Sequence, residues 1–176
     1  IRSLSWDFGW QAIEAQLTRL GHWLDQIAAQ NSPFAGKRVV VTIDGGRVRL
    51  RIPTKRGRRK KSGRHGFQAE WAEPRVICLY LIDEHGKKIA EAESCWYDAS
   101  LSDADESFEV LQAHLKGLGI EKADEVVFVA DGANWTWNRV EELWEALGIQ
   151  DKVTEIIDFY HAAEHLHEVV ELRKKW

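Results

Sequence analysis

Methionine is absent from the 176 residues, including at position 1, where the chain starts on Ile1. At the other end stands Arg173-Lys174-Lys175-Trp176, a basic helical run with no cap, so the expectation is a piece of a longer protein. Only two cysteines occur, Cys78 and Cys95, both in strand-like apolar surroundings. Two thiols build no disulfide framework, and a reducing cytoplasm is their natural compartment. No apolar run approaches the roughly 20 residues of a membrane helix, and no signal-peptide core opens the chain. Apolar content of 44% with 30% charge excludes disorder and fibrous repeats. The length suits one domain, or a domain with a helical appendage.

A net charge of −4 hides a strong asymmetry. Between Lys37 and Arg64 stand twelve Lys and Arg and one acid, Asp44, a local balance of +11 that leaves −15 for the remainder. A basic stretch on an acidic body is the electrostatic footprint of a polyanion site, with a solvated basic loop as the plain alternative. Nucleic acid is the preferred partner.

From Trp6 to Gln30, apolar residues recur at Trp10, Ile13, Leu17, Leu20, Leu24 and Ile27, the spacing of an amphipathic helix with Ser5 or Asp7 as N-cap. Asn31 to Gly36 ends it, so residues 1–36 read as a helix and linker ahead of a core at 37–176. Val39-Val40-Val41-Thr42-Ile43 predicts a buried strand, and Gly45-Gly46 a tight hairpin to a returning strand. That strand alternates Val48, Leu50 and Ile52 with Arg47, Arg49 and Arg51, ending at Pro53. Period two with one cationic face predicts a half-exposed strand presenting three guanidiniums. Thr54 to Phe67 reads as a charged loop.

Arg75 to Ile82 predicts a further buried strand, Asp83 to Gly86 a turn, and Ile89 to Tyr97 an antiparallel return. A helix opens at Ser102-Asp103 and stops at Gly119; Glu125 to Ala130 is a short strand. Asn134 is expected to cap a helix that runs to Leu147 before Gly148. Val153 to Ile157 is a last strand, followed by a helix from about His161. A meander followed by strands joined through crossover helices predicts an α/β fold, a mixed sheet flanked by helices. This parse holds one strand more than a minimal ribonuclease-H-like sheet needs.

Asp44 and Asp131 each follow an apolar strand and precede Gly. If those strands are neighbours, both acids emerge at one sheet edge, where carboxylate oxygens suit magnesium or manganese. Two such ions can flank a phosphodiester, one activating the attacking oxygen and the other the leaving oxygen. A plain Asp-Gly turn is the alternative at each site. The segment Asp158-Phe159-Tyr160-His161-Ala162-Ala163-Glu164-His165 admits two readings. As Asp-x-x-His it sets Asp158 and His161 beside the same edge. As His-x-x-Glu-His it matches an inverted zinc-protease motif, with His161 and His165 as ligands and Glu164 as base. The zinc reading lacks a third ligand and leaves the basic stretch unused.

Ile43-Asp44-Gly45-Gly46-Arg47-Val48-Arg49, Glu73-Pro74-Arg75-Val76, Val129 to Trp137 and Ile157 to Leu166 together resemble DDE-type transposases of bacterial insertion sequences with Mutator-like architecture. The resemblance covers about residues 37 to 170. It implies a ribonuclease-H-like fold and magnesium-dependent (or manganese-dependent) DNA cleavage and joining at the element's terminal inverted repeats and target. By resemblance Asp44 and Asp131 are the first and second metal-binding acids, and Asp158 with His161 matches the Cys/Asp-x-x-His signature. The family's third acid is a Glu beyond a helical insertion. This chain ends just inside that insertion, so the fragment alone is expected to be inactive, with Glu164 and Glu168 as secondary candidates.

Arg47, Arg49, Arg51, Lys55, Arg56, Arg58, Arg59, Lys60, Lys61 and Arg64 form the expected phosphate-binding surface beside Asp44. Trp135 is placed on a splayed base or in the core, and Trp137 in the core. The resemblance further implies homo-oligomers of the full-length protein and a bacterial, nucleoid-associated, cytoplasmic location, with no membrane partner. The alternatives are a nuclease on the same fold, a non-catalytic DNA-binding remnant of a transposase, and a zinc hydrolase.

Overall fold

Val39, Val41 and Ile43 are fully buried and Val40 is nearly so, which places their strand at the centre of a sheet covered on both faces. The computed structural model describes residues 32–53, 67–90 and 94–173, with no side chain described at positions 53, 67, 164, 165, 168, 171 and 172. Strand β1 (Arg38–Gly45) pairs antiparallel with β4 (Arg75–Ile82) and parallel with β6 (Glu125–Ala130). On the outer sides, β5 (Cys95–Ser100) lies antiparallel to β4, and β7 (Val153–Ile157) parallel to β6. The sheet order is β5-β4-β1-β6-β7. Antiparallel strands on one side of β1 and parallel strands on the other give the ribonuclease-H-like fold.

The extra strand of the sequence parse has a separate place. Strand β2 (Val48–Pro53) pairs with β3 (Phe67–Ala72) in a two-stranded ribbon inserted between β1 and β4. Gly45-Gly46 therefore does not fold β2 back on β1, as the sequence predicted. The edge of β1 is already taken by β4, and the chain turns out of the sheet at Gly46. Accordingly Val48, Leu50 and Ile52 are 37–41% exposed instead of buried. Phe67 opens a strand that the sequence left within a loop.

Helix α1 (Ala104–Leu118) starts where the Asp103 carboxylate accepts the Glu106 N–H at 3.0 Å. It ends at Gly119, whose φ of 73° suits glycine. Its Phe108, Leu111, Leu115 and Leu118 pack on Val39, Val41, Ile77, Leu79, Val126 and Phe128 in one core. His114 on the same helix pairs through Nε2 with Asp98 Oδ2 of β5 at 2.7 Å. Helix α2 (Asn134–Leu147) adds Val140, Leu143 and Trp144 to that core. Asn134 is the first helical residue and makes no cap; Ala133 stands at the cap position without a side-chain bond.

Two boundaries also shift. The return after β4 begins at Cys95, not Ile89, because Ile89 hydrogen-bonds back to Leu81 in the turn region. Helix α3 (Phe159–Arg173) begins two residues before His161, since Asp158 already accepts the Tyr160 N–H. The helix predicted at Trp6 to Gln30 lies outside the described residues, as do Lys55, Arg56, Arg58, Arg59, Lys60, Lys61 and Arg64. No helix among the described residues is long and apolar enough to cross a membrane.

Candidate active site

The sheet register decides where the acids fall. The β1–β6 pairing ends at Thr42 opposite Val129, and Asp44 and Asp131 each follow two residues on, at the same end of adjacent parallel strands. Ala130 lies opposite Ile157 of β7, and the next step brings Asp131 opposite Asp158. The Asp158 N–H donates to the Ala130 carbonyl at 2.8 Å, continuing that ladder past the strand ends. Asp44, Asp131 and Asp158 thus mark a row in sheet order, each at the C-terminal end of one of three adjacent parallel strands.

Their environments differ. Asp44 is exposed, while Asp131 and Asp158 are half-buried. Asp131 Oδ1 accepts the Ala133 N–H at 3.0 Å, and its backbone carbonyl accepts Trp137 Nε1–H at 2.5 Å. Asp158 Oδ1 accepts the Tyr160 N–H at 2.8 Å. In both, one oxygen tightens the turn from strand to helix, and no described group donates a hydrogen bond to the other.

A cleft of about 190 Å³ opens beside Asp131, lined also by Gly45, Gly46, Arg47, Glu73, Arg75 and Trp135. Gly45 and Trp135 are close neighbours in it, since a Cβ on Gly45 would meet the Trp135 ring at 3.5 Å, an ordinary van der Waals contact. The Gly46 N–H donates to Pro74 O at 2.9 Å and Arg47 Nε pairs with Glu73 Oε1 at 3.2 Å, closing the base of the ribbon. Arg75 is a lining residue to which the sequence assigned no role, although it stands in the Glu73-Pro74-Arg75 motif. Its guanidinium lies 4.9 Å over the Trp135 ring, and Nη1 donates to the Ser102 carbonyl. Its buried Nε has no hydrogen-bond acceptor among the described residues.

Trp135 is therefore a cleft wall, with Arg75 over its ring and Phe108 against it edge-on at 6.3 Å. Trp137 packs on Phe128 at 5.8 Å and belongs to the core, as expected. Arg47 is exposed immediately before β2, and Arg49 and Arg51 are exposed on it. His161 is exposed on the first turn of α3, and the side chains of Glu164, His165 and Glu168 lie outside the described residues.

At this edge Asp44 and Asp131 offer carboxylate oxygens, the donor type that hard divalent ions take. Among the described residues no group of three or more His, Cys, Asp or Glu gathers at one point, so water would complete the coordination. Thiol chemistry does not compete. Burial and the neighbouring Cys95 push the Cys78 thiol up to about 11, and it stays protonated at neutral pH. A larger groove of about 350 Å³ between α1 and α2 is rimmed by Asp105, Glu109 and Glu142 around Arg139. It holds none of the strand-end acids, and its acidic rim is unsuited to a polyanion.

No family model and no curated protein matches the chain. Among solved structures it is similar to LC11 ribonuclease H1 in complex with an RNA/DNA hybrid, at 15% identity and a TM-score of 0.32, covering 68% of this chain and 84% of that one. It is also similar to the Mos1 transposase paired-end complex with the left transposon end, at 14% identity and 0.32, covering 89% of this chain and 43% of that one. The Drosophila P element transposase strand transfer complex is similar at 16% identity and 0.35, covering 84% and 35%. The chain thus spans less than half of either transposase. At these scores none of the likenesses bears on which reaction this chain performs.

Proposed function

We propose that this chain is the catalytic core of a DDE-type transposase of a bacterial insertion sequence, with Mutator-like architecture. The supporting observation is that Asp44 and Asp131 follow the last paired residues of two adjacent parallel strands, with Asp131 in a cleft also lined by Arg47 and Arg75. Asp44 and Asp131 hold magnesium or manganese, which supplies activation of the attacking oxygen and charge neutralisation at the leaving oxygen. Arg47 and Arg75 hold the phosphodiester against the acids, and the basic residues of β2 and the following segment position the flanking DNA. Asp158 and His161, at the end of the row, orient the strand beside the site. On this reading the third acid is a Glu beyond a helical insertion that follows Asp158 and His161, and the full-length protein works as a homo-oligomer on paired element ends.

The test uses the full-length protein with a labelled duplex carrying its element's terminal repeat, in magnesium. The expected products are a nick at the element end and its joined form, with Asp131→Ala reducing both by about 10²-fold or more. Nicking without joining would identify a nuclease. Magnesium-independent binding with no cleavage would identify a DNA-binding remnant.

A further inference from the structure

The ribbon carries a second feature on its cationic face. Residues directly opposite in an antiparallel pair share a face. The β2–β3 register sets Arg49 opposite Trp71 and Arg51 opposite Ala69. One step nearer the cleft, the Arg47–Glu73 ion pair continues the same row. From the base outward, this face therefore presents Arg47, then Arg49 beside Trp71, then Arg51.

Trp71 is 64% exposed, among the more exposed of the large hydrophobic side chains described. Arg49 beside it is exposed as well. Leaving so much of an indole in water is unfavourable. Its cross-strand neighbours are guanidiniums, Arg49 directly opposite and Arg47 and Arg51 on the diagonals, which argues against an apolar protein partner and for a polyanion with flat faces. Alternate residues on a strand stand about 6.8 Å apart, so successive arginines can meet successive phosphates of an extended strand. An indole between them then meets a base. Stacking of this kind needs an unpaired base, because a duplex hides the faces of its bases.

We infer that the Arg49–Trp71 face of the β2–β3 ribbon is a binding track for single-stranded nucleic acid leaving the cleft. Trp71 stacks on an unpaired base and Arg49 grips the adjoining phosphate. The inference rests on the proposed nucleic-acid function and adds its substrate class: a duplex with an unpaired flank next to the phosphodiester in the cleft.

The experiment measures affinity by fluorescence anisotropy for a blunt duplex and for the same duplex with a six-nucleotide 3′ or 5′ overhang. The proteins are this chain unaltered, Trp71→Ala, Trp71→Phe and Arg49→Ala, with thermal melting of each as a control on folding. The expected result is tighter binding of one overhang duplex, and a loss of roughly tenfold in Trp71→Ala on that duplex alone. Trp71→Phe retains most of the affinity because a ring remains. Equal losses on blunt and overhang duplexes, or none in Trp71→Ala, would overturn the track while leaving the nucleic-acid reading intact. Failure of the unaltered chain to bind any of the oligonucleotides would remove both.

Discussion

Phe128→Ala is expected to destabilise the fold by about 3–5 kcal/mol, a large share of the roughly 5–15 kcal/mol that holds a domain together. Phe128 is fully buried in β6 and meets Trp137 at 5.8 Å and Trp144 at 5.4 Å, both edge-on. Truncation leaves a cavity bounded by two indoles whose positions are fixed from other directions. Trp137 Nε1 is tied to the Asp131 carbonyl and Trp144 Nε1 to Glu155 Oε1 at 3.0 Å. Neither ring can collapse into the space without releasing a hydrogen bond, so relaxation is limited. Urea unfolding followed by tryptophan fluorescence measures the loss. A change below about 1 kcal/mol would show that the three rings do not support one another as described.

The second large effect concerns salt. If six or more phosphates are neutralised, affinity for duplex DNA falls by about 10³-fold or more between 50 and 200 mM salt. Replacing Arg47, Arg49 and Arg51 together by alanine is expected to reduce the slope of log affinity against log salt by about 3, because each lost phosphate contact removes roughly 0.9. Asp44→Ala leaves the slope unchanged, since that acid serves the metal. Anisotropy titrations across a salt series give all three slopes. An unchanged slope in the triple variant would remove β2 from the DNA surface.

The sheet was legible wherever one strand's pattern sufficed. Val39 to Ile43, Arg75 to Ile82 and Glu125 to Ala130 read as strands because β-branched and apolar runs of that length have few other homes, and each lies where expected; β1 is buried through its apolar run, whereas β4, expected buried, alternates, as β6 does. Helix ends at Gly119 and Gly148 were legible for the same local reason, a left-handed residue that glycine adopts at no steric cost. Pairing was less legible. Gly45-Gly46 satisfies hairpin chemistry, yet the partner of β1 is decided by which strand fills its edge, and β4 does so across eight residue pairs. Strand β3 escaped notice because Phe67-Gln68-Ala69-Glu70-Trp71-Ala72 alternates weakly and borders a densely charged segment. Its ribbon is what the surplus strand of the sequence parse became.

Within the candidate site, Asp44, Asp131 and Asp158 stood out as strand-end acids, but their alignment in one row depends on register between strands far apart in sequence. Arg75 was invisible as a site residue, since it looks like the first residue of a strand. Only the fold carries it over Trp135 and into the cleft.

Divalent-metal binding by calorimetry tests the central claim most directly, with Asp44→Ala and Asp131→Ala beside the unaltered chain. The account predicts weak manganese and magnesium binding that is lost in both variants, because two carboxylates on adjacent strands share one site. Manganese binding unaffected by either substitution, or tight zinc binding abolished only by His161→Ala, would contradict it.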